Sequence, residues 1–129
     1  MTATDQLENE RQRILEMKPG RELDALVMRT VFKAEKKDIG DECYWVSEVN
    51  GEEVCWPRWF RPSLDISAAW EVVEEMLERG GCEIGCYGSK SGGKWFEVNV
   101  ITMNGEVKVT AHTAHEAICK AALLAVMDG

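Results

Sequence analysis

Apolar residues recur at helical spacing in four segments of the chain, residues 4–17, 21–32, 65–79 and 113–127. In the first segment the apolar stripe is thin, which predicts a lead-in helix that is stable only when it docks on other residues. We therefore divide the chain into a helical lead-in, residues 1–18, and a single domain, residues 19–129.

The third helical segment has the clearest signals at its ends. Asp65 is a favourable N-cap residue, and Gly80-Gly81 is expected to end the helix. Helical spacing predicts one apolar face that packs on the core, formed by Ile66, Ala69, Trp70, Val73 and Leu77. Four glutamates lie outside this face: Glu71, Glu74, Glu75 and Glu78. The helix should therefore carry an acidic surface in contact with solvent.

The last helical segment opens on a capping-box pattern. In this pattern the side chains of Thr113 and Glu116 are each expected to bind the other's backbone N–H group. The face that follows is rich in alanine, which would let this helix approach a sheet closely.

A β-hairpin is predicted between the second and third helices. Residues 43–49 and 52–56 flank Asn50-Gly51, the strongest short hairpin signal. A two-residue turn there pairs Val49 with Glu52 and Trp45 with Trp56. Residues 33–41, which precede the hairpin, are polar and are predicted to form a connector.

Three further strands follow the third helix, because apolar residues alternate there with a period of two. Their inward positions are Cys82, Ile84, Cys86, Phe96, Val98, Val100, Val107, Val109 and Ala111. A turn at Asn104-Gly105 places Val100 opposite Val109 and Val98 opposite Ala111. The order of elements predicts an α+β fold. A mostly antiparallel sheet, made of a hairpin and a three-stranded meander, is sandwiched with three to four helices.

The charge balance narrows the range of partners. The chain has 15 Lys and Arg against 23 Asp and Glu, a net charge of −8. A field of this sign disfavours non-specific binding to nucleic acid and to anionic membranes, and it favours association with a basic protein surface.

The sequence also indicates a compartment. Residues 1–17 lack the apolar core of a signal peptide, and no apolar run is long enough to span a bilayer. The five cysteines are an odd number. We therefore expect free thiols in a reducing cytoplasm, that of a bacterial host.

Residues that could carry chemistry are few. Cys82, Cys86, His115 and Cys119 could in principle converge on a zinc ion. However, the first two are spaced CxxxC at inward positions of a core strand, where cysteine behaves as a small apolar residue. His112 is the other histidine, and no nucleophile stands beside a base in a triad pattern. We expect no catalytic residue, no metal and no cofactor.

Two segments carry candidate binding residues. Around the hairpin, aromatic rings are interleaved with arginine, the residue types enriched at binding hot spots, in Tyr44, Trp45, Trp56, Arg58, Trp59 and Arg61. One face of a short hairpin cannot bury all of these rings, although part of them could form core. In residues 89–94, Lys90 and Lys94 stand in a glycine-rich turn that could bind an anion, although a plain flexible turn explains the same residues.

Three segments together point to a family. They are MKPGRELDALV at residues 17–27, DISAAWEVVE at residues 65–74 and TAHEAICKAALL at residues 113–124. In sequence and in order they resemble the phage ABA sandwich domain family of small bacteriophage proteins, over most of the chain from residue 17 onward. The resemblance implies a phage or prophage origin and an α/β sandwich. It implies no activity.

The leading hypothesis is a phage-encoded, non-enzymatic binding protein that occludes a host protein, such as a component of a defence complex. The acidic helix would mimic the phosphates of nucleic acid towards a basic groove. One alternative is a sponge that captures a nucleotide signal with Trp45, Trp56, Arg58, Arg61 and the turn at residues 90–94. A second is a structural or accessory phage protein without a ligand. Assembly into a homo-oligomer is left open.

Overall fold

The computed structural model describes residues 3–39, 43–49, 51–57, 60–103 and 105–128, which form four helices and six strands. The helices are α1 (Ala3–Glu16), α2 (Arg21–Thr30), α3 (Ile66–Arg79) and α4 (Ala114–Asp128). The strands are β1 (Glu35–Ile39), β2 (Cys43–Val49), β3 (Glu52–Trp56), β4 (Gly80–Ser89), β5 (Gly93–Thr102) and β6 (Gly105–Ala111). They make two antiparallel sheets, ordered β1-β2-β3 and β4-β5-β6. The predicted α+β class is confirmed.

Strand β1 corrects the prediction of a polar connector at residues 33–41. It pairs antiparallel with β2, with Glu35 opposite Val46 and Lys36 opposite Trp45. The buried Ser47 hydroxyl on β2 donates to the Phe32 carbonyl at 2.9 Å and holds the chain that leads into β1. Four of the five β1 residues are charged, so the apolar alternation on which strand prediction depends is missing at this edge.

The β2–β3 hairpin has the predicted register. Val49 lies opposite Glu52 and Trp45 lies opposite Trp56. Gly51 has a φ of 83°, a conformation that glycine adopts without strain. Asn50, the other predicted turn residue, lies outside the described residues.

In the β5–β6 hairpin the predicted faces are confirmed and the predicted register is wrong. Val98 lies opposite Val109, and the pairing closes at Thr102 and Gly105. The turn therefore comes one residue earlier than predicted; its predicted residue Asn104 is outside the described residues. The partners of β5 on β6 are shifted by two residues from the predicted ones. Since side chains alternate with a period of two, Val98 and Val100 still face the core.

The main core lies between the helices and the β4–β6 sheet. Helix α4 contacts β5 and β6 and also packs against α2 and α3. Its small-residue face is buried as predicted and includes Ala117, Ile118, Ala121, Ala122, Leu124 and Ala125. From the other helices, Ile14, Leu23, Val27, Val72 and Met76 join the same cluster.

A buried lysine links the first and last helices. The Glu116 amide donates to Thr113 Oγ1 at 3.3 Å, which confirms one half of the predicted capping box. The Glu116 carboxylate accepts from Lys120 Nζ at 2.8 Å, and the same ammonium donates to the Leu15 carbonyl at 2.9 Å. A cation is favourable at this point because the last carbonyls of α1 carry partial negative charge.

A second core holds the β1–β3 sheet. It consists of Met28, Ala34, Trp45, Trp56, Phe60 and Ala68, with Ala25 and Phe32 packed against them. Helices α2 and α3 thus contribute residues to both cores.

Candidate interaction surface

Helix α3 is fixed at both ends. The Asp65 carboxylate accepts from the Ser67 amide at 3.0 Å, so the predicted N-cap is confirmed. The helix ends at Arg79 before Gly80, also as predicted. The Arg79 guanidinium donates to the Val31 carbonyl at 3.3 Å and ties this end to the chain that follows α2.

The buried side of α3 differs from the predicted one. Ala68, Ala69, Val72, Val73 and Met76 are buried, whereas Ile66 is 48% exposed and Trp70 and Leu77 are each 52% exposed. At 100° per residue the last three project within about 40° of one another. They form one apolar strip beside the buried side, which we call the α3 ridge. Apolar residues occupy a wider part of the surface of α3 than the core can cover. Periodicity alone does not show which of these residues are buried.

The acidic face of α3 is formed by Glu71, Glu74 and Glu78, all exposed. The prediction that these residues and Glu75 lie outside the core is confirmed. In the described part of the chain, only Glu75 among the four has an ion-pair partner, Arg79 at 3.6 Å. The three carboxylates of the face project within about 60° of one another and span about 10 Å along the axis. Helix α3 therefore presents a compact row of negative charge.

Two of the rings predicted as a binding surface on the β2–β3 hairpin belong to the core. Trp45 is 4% exposed and Trp56 is 8% exposed. Phe32 packs against the Trp56 ring with centroids 5.1 Å apart, and Arg29 lies over Trp45 at 5.6 Å. These two tryptophans are buried because α2 and the segment after β3 cover one face of the small sheet, which local sequence does not reveal.

The remaining candidates of this segment are Tyr44, Arg58, Trp59 and Arg61. Arg61 is exposed. The side chain of Tyr44, and all of Arg58 and Trp59, lie outside the described residues.

The turn at residues 89–94 is an exposed hairpin end, as the turn hypothesis predicts. Ser89 pairs with Gly93, and Ser89 Oγ accepts from the Gly92 amide at 2.6 Å. Lys90 and Lys94 are both exposed. Next to the turn, the rings of Tyr87 and Trp95 stack with centroids 5.7 Å apart and an interplanar angle of 15°. Both rings are exposed, so an accessible aromatic pair lies beside this turn.

Comparisons with known proteins identify the family. The profile of the phage ABA sandwich domain matches residues 13–123. The chain belongs to this family. It is also similar to a phage protein from Bacillus cereus ATCC 14579, with a TM-score of 0.56 and 28% identity over 88% of this chain and 90% of that chain. A search of the curated proteins finds no match. The resemblance that the three sequence segments indicate is thus confirmed.

This ABA sandwich protein has a buried carboxylate that the sequence does not reveal. Asp24 on α2 is 6% exposed, and its Oδ1 accepts from the Ser63 amide at 2.7 Å. Oδ2 has no hydrogen-bond partner among the described residues. Burial raises the pKa of Asp24, while the bonds from Ser63 and the charge of Arg61 oppose the rise. An acid in the first turn of a helix is typical of the surface, so nothing in the sequence marks it as buried.

Two of the cysteines of this ABA sandwich protein belong to the main core, Cys119 within it and Cys82 half-buried against it. Cys119 lies in the main core, and burial, followed by the charges of Asp24 and Glu116, raises the pKa of its thiol well above the ordinary value. Burial and Glu83 raise the pKa of the Cys82 thiol. Both thiols are therefore neutral near neutral pH. Among the described residues, no three His, Cys, Asp or Glu side chains come close enough to hold a metal ion.

The position of Cys86 corrects the interpretation of β4 as a core strand. Cys82 is half-buried, whereas Cys86 is exposed. The far half of β4 extends beyond the residues that cover the sheet, so its inward positions are open there.

In the part of the chain that the structure describes, no helix has both the length and the apolar character required to cross a bilayer.

Proposed function

We propose that this ABA sandwich protein is a phage-encoded, non-enzymatic protein that acts in the host cytoplasm by occluding a basic surface of a host protein. The acidic face of α3 carries the proposal. Its three exposed carboxylates stand on a helix whose other side is packed into the main core. The row is therefore held in one geometry before a partner arrives, which lowers the ordering cost of binding.

The chemistry of the acidic face favours a nucleic-acid-binding partner. Grooves that bind nucleic acid are lined by Lys and Arg, which form charge-assisted hydrogen bonds with carboxylates as well as with phosphates. The net charge of −8 steers the protein towards such a groove and away from nucleic acid itself. Host defence components that bind phage nucleic acid belong to this class.

The test is capture of a host protein by tagged protein, with two charge-matched variants. One carries Glu71→Lys, Glu74→Lys and Glu78→Lys; the other carries Glu8→Lys, Glu10→Lys and Glu22→Lys, three exposed glutamates on α1 and α2. Both variants have the same net charge. We expect the wild type and the α1–α2 variant to retain the same basic host protein, and the α3 variant to lose it. Equal retention by both variants, or no specific protein retained by the wild type, would contradict the proposal.

A second candidate function is a nucleotide sponge, favoured by the exposed Tyr87–Trp95 stack beside the turn with Lys90 and Lys94. Aromatic faces stack on bases and lysines attract phosphates. The version that uses Trp45 and Trp56 requires accessible rings, and these two rings are buried. A thermal-shift screen with cyclic and ADP-ribose-type nucleotides separates the two functions. A ligand-induced rise in Tm that Trp95→Ala abolishes would support the sponge function. If no nucleotide raises the Tm, the sponge function is contradicted, and occlusion of a host protein or an accessory role remains.

A further inference from the structure

The four edge strands of the two sheets are protected to very different degrees. In β1 four of five residues are charged, in β3 two of five, and in β6 two of seven. Strand β4 has one charged residue, Glu83, in ten, and it contains no proline and no lysine. It pairs with β5 over all ten residues without a bulge. Charges, bulges and proline are the usual devices that stop an edge from pairing with another chain, and of these β4 has only the single charge of Glu83.

Exposed apolar side chains lie on the helix-bearing side of the same sheet. Ile84 on β4 is directly opposite Val98 on β5, so it points to the helix-bearing side of the sheet. It is nevertheless 37% exposed. Helix α3 contacts β4, and the chain passes from one directly into the other. Helix α3 and Ile84 are therefore on one side of the sheet, where the described strands leave the β4 edge unpaired and the described residues leave the α3 ridge exposed.

We propose that a second copy of this chain covers this edge, so that two β4 strands pair antiparallel around a two-fold axis. The two β4–β6 sheets would become one sheet of six strands. The same operation brings the two α3 helices and their exposed ridges towards each other above the junction, because α3 contacts β4 in each copy. One self-complementary contact thus accounts for both the unprotected strand and the exposed ridge, which is the geometry of an isologous dimer.

The size of the patch fits a small, weak dimer. Each copy contributes the ten residues of β4 and the three residues of the α3 ridge, fewer than the roughly 20 residues a side of a standard interface. Trp70 stands in this patch, and tryptophan is the residue type most enriched at the energetic centres of interfaces.

The alternation of β4 restricts the pairing. Residues opposite each other in an antiparallel pair lie on the same face, so the axis must pass through a residue rather than between two. A two-fold axis through Ile84 or Gly85 pairs most of the β4 residues and keeps the two Glu83 carboxylates apart. An axis through Glu83 would place these two carboxylates directly opposite each other.

The proposed dimer does not rest on the proposed function, and the two contacts should respond to salt in opposite ways. Two chains of −8 repel each other, and salt screens this repulsion with a Debye length of about 10 Å at 0.1 M. Dimerisation should therefore tighten as salt increases. Binding of the acidic face to a basic protein should weaken over the same range.

The experiment is analytical ultracentrifugation of the full chain over a range of concentrations, with Ile84→Lys and Trp70→Glu as test variants. Val54→Lys is the matched control, because Val54 is also a β-branched strand residue and is also 37% exposed. We expect the wild type and Val54→Lys to reach twice the monomer mass of 14.5 kDa. Each test variant should raise the dimer Kd by about a hundredfold, because the axis brings two like charges together in an apolar interface.

Circular dichroism of each variant shows whether it is folded, and both test positions are exposed enough to accept a charge in the monomer. A wild type that stays monomeric at about 0.5 mM would overturn the proposal, since that concentration exceeds the Kd of even a weak specific dimer. A dimer that folded Ile84→Lys and Trp70→Glu leave unchanged would overturn it equally.

Discussion

The two three-stranded sheets share an antiparallel topology but are stabilised in different ways. The β4–β6 sheet has strands of seven to ten residues, and α4 covers its β5 and β6 strands with closely packed alanine and leucine. The β1–β3 sheet has strands of five to seven residues and rests on a cluster of six buried residues dominated by rings. The comparison teaches that the large sheet depends on helix packing, while the small sheet depends on its tryptophans. Trp45 and Trp56, two of the predicted binding residues, are therefore part of the core of the small sheet.

The largest effect should come from the main core. Leu123 on α4 is fully buried, so Leu123→Ala should lower the free energy of unfolding by about 4 kcal/mol through lost burial and the cavity it leaves. Urea denaturation followed by circular dichroism measures this loss. Leu64→Ala is the control, because Leu64 is exposed and its truncation should change stability by less than about 0.5 kcal/mol. Similar losses in the two variants would mean that α4 does not organise the core.

The next effect should be confined to the small sheet. Trp56→Ala removes a ring that contacts Phe32 and Phe60, and should weaken the second core by about 3 kcal/mol. The buried residues of the two cores form distinct clusters, although Phe32 packs against both. Backbone amides of β2 and β3 should therefore exchange with deuterium faster while those of β5 keep their protection. Hydrogen exchange measured by mass spectrometry decides between this outcome and a uniform loss over both sheets, which would show that the cores open together.

A smaller effect on stability should distinguish alanine substitutions at two adjacent glycines at the start of the large sheet. A Cβ at Gly80 would overlap the carbonyl oxygen of Ile101, whereas a Cβ at Gly81 meets only the Ile101 side chain at 3.8 Å. Gly80→Ala should therefore lower stability by about 2 kcal/mol, as overpacking does. Thermal unfolding of both variants measures the difference. If Gly81→Ala is as destabilising as Gly80→Ala, close packing at the α3–β4 junction is not the cause.

The smallest effect concerns the link between the two cores. Asp24 binds the Ser63 amide, and the Ser63 hydroxyl accepts from the Gly20 amide at 2.9 Å, so α2 is joined to the segment that carries Phe60. The folded pKa of Asp24 is raised above its ordinary value of 3.8, so the native state binds this proton more tightly than the unfolded state does. This contribution to stability is full below the ordinary pKa and is lost as pH rises through the folded pKa.

Asp24→Asn tests the predicted direction of this pH dependence, because asparagine keeps a side-chain oxygen for the Ser63 amide and cannot titrate. The stability of the wild type relative to Asp24→Asn should fall as pH rises from about 4 to about 7. Urea unfolding at several pH values measures the difference between the two proteins. A difference that stays constant with pH would show that the carboxyl group does not titrate differently in the two states.

The sequence predicts best where a local signal decides the structure. The Asn50-Gly51 signal in the sequence predicts the observed β2–β3 register, and the Asp65 cap and Gly80 predict the ends of α3. Alternation puts Val98 and Val100 on the buried side even though their partners are shifted. In each case the deciding residues are neighbours in the chain.

The sequence predicts least where a distant element decides. Which apolar stripe of α3 is buried depends on the position of α4, and the burial of Trp45 depends on α2. Strand β1 forms because β2 offers it an edge, not because its own residues alternate. Of the candidate site, the acidic face of α3 was predictable because glutamates avoid the core, while the ridge beside it was not.

The central claim is that the acidic face of α3 binds a basic host protein. The most direct test is the Kd for the captured partner, measured by titration calorimetry at two salt concentrations for the wild type and the two charge-matched triple variants. The account predicts tight binding by the wild type and the α1–α2 variant that weakens as salt increases, and little binding by the α3 variant at either concentration. Equal affinity of the two variants, or binding that does not respond to salt, would contradict it.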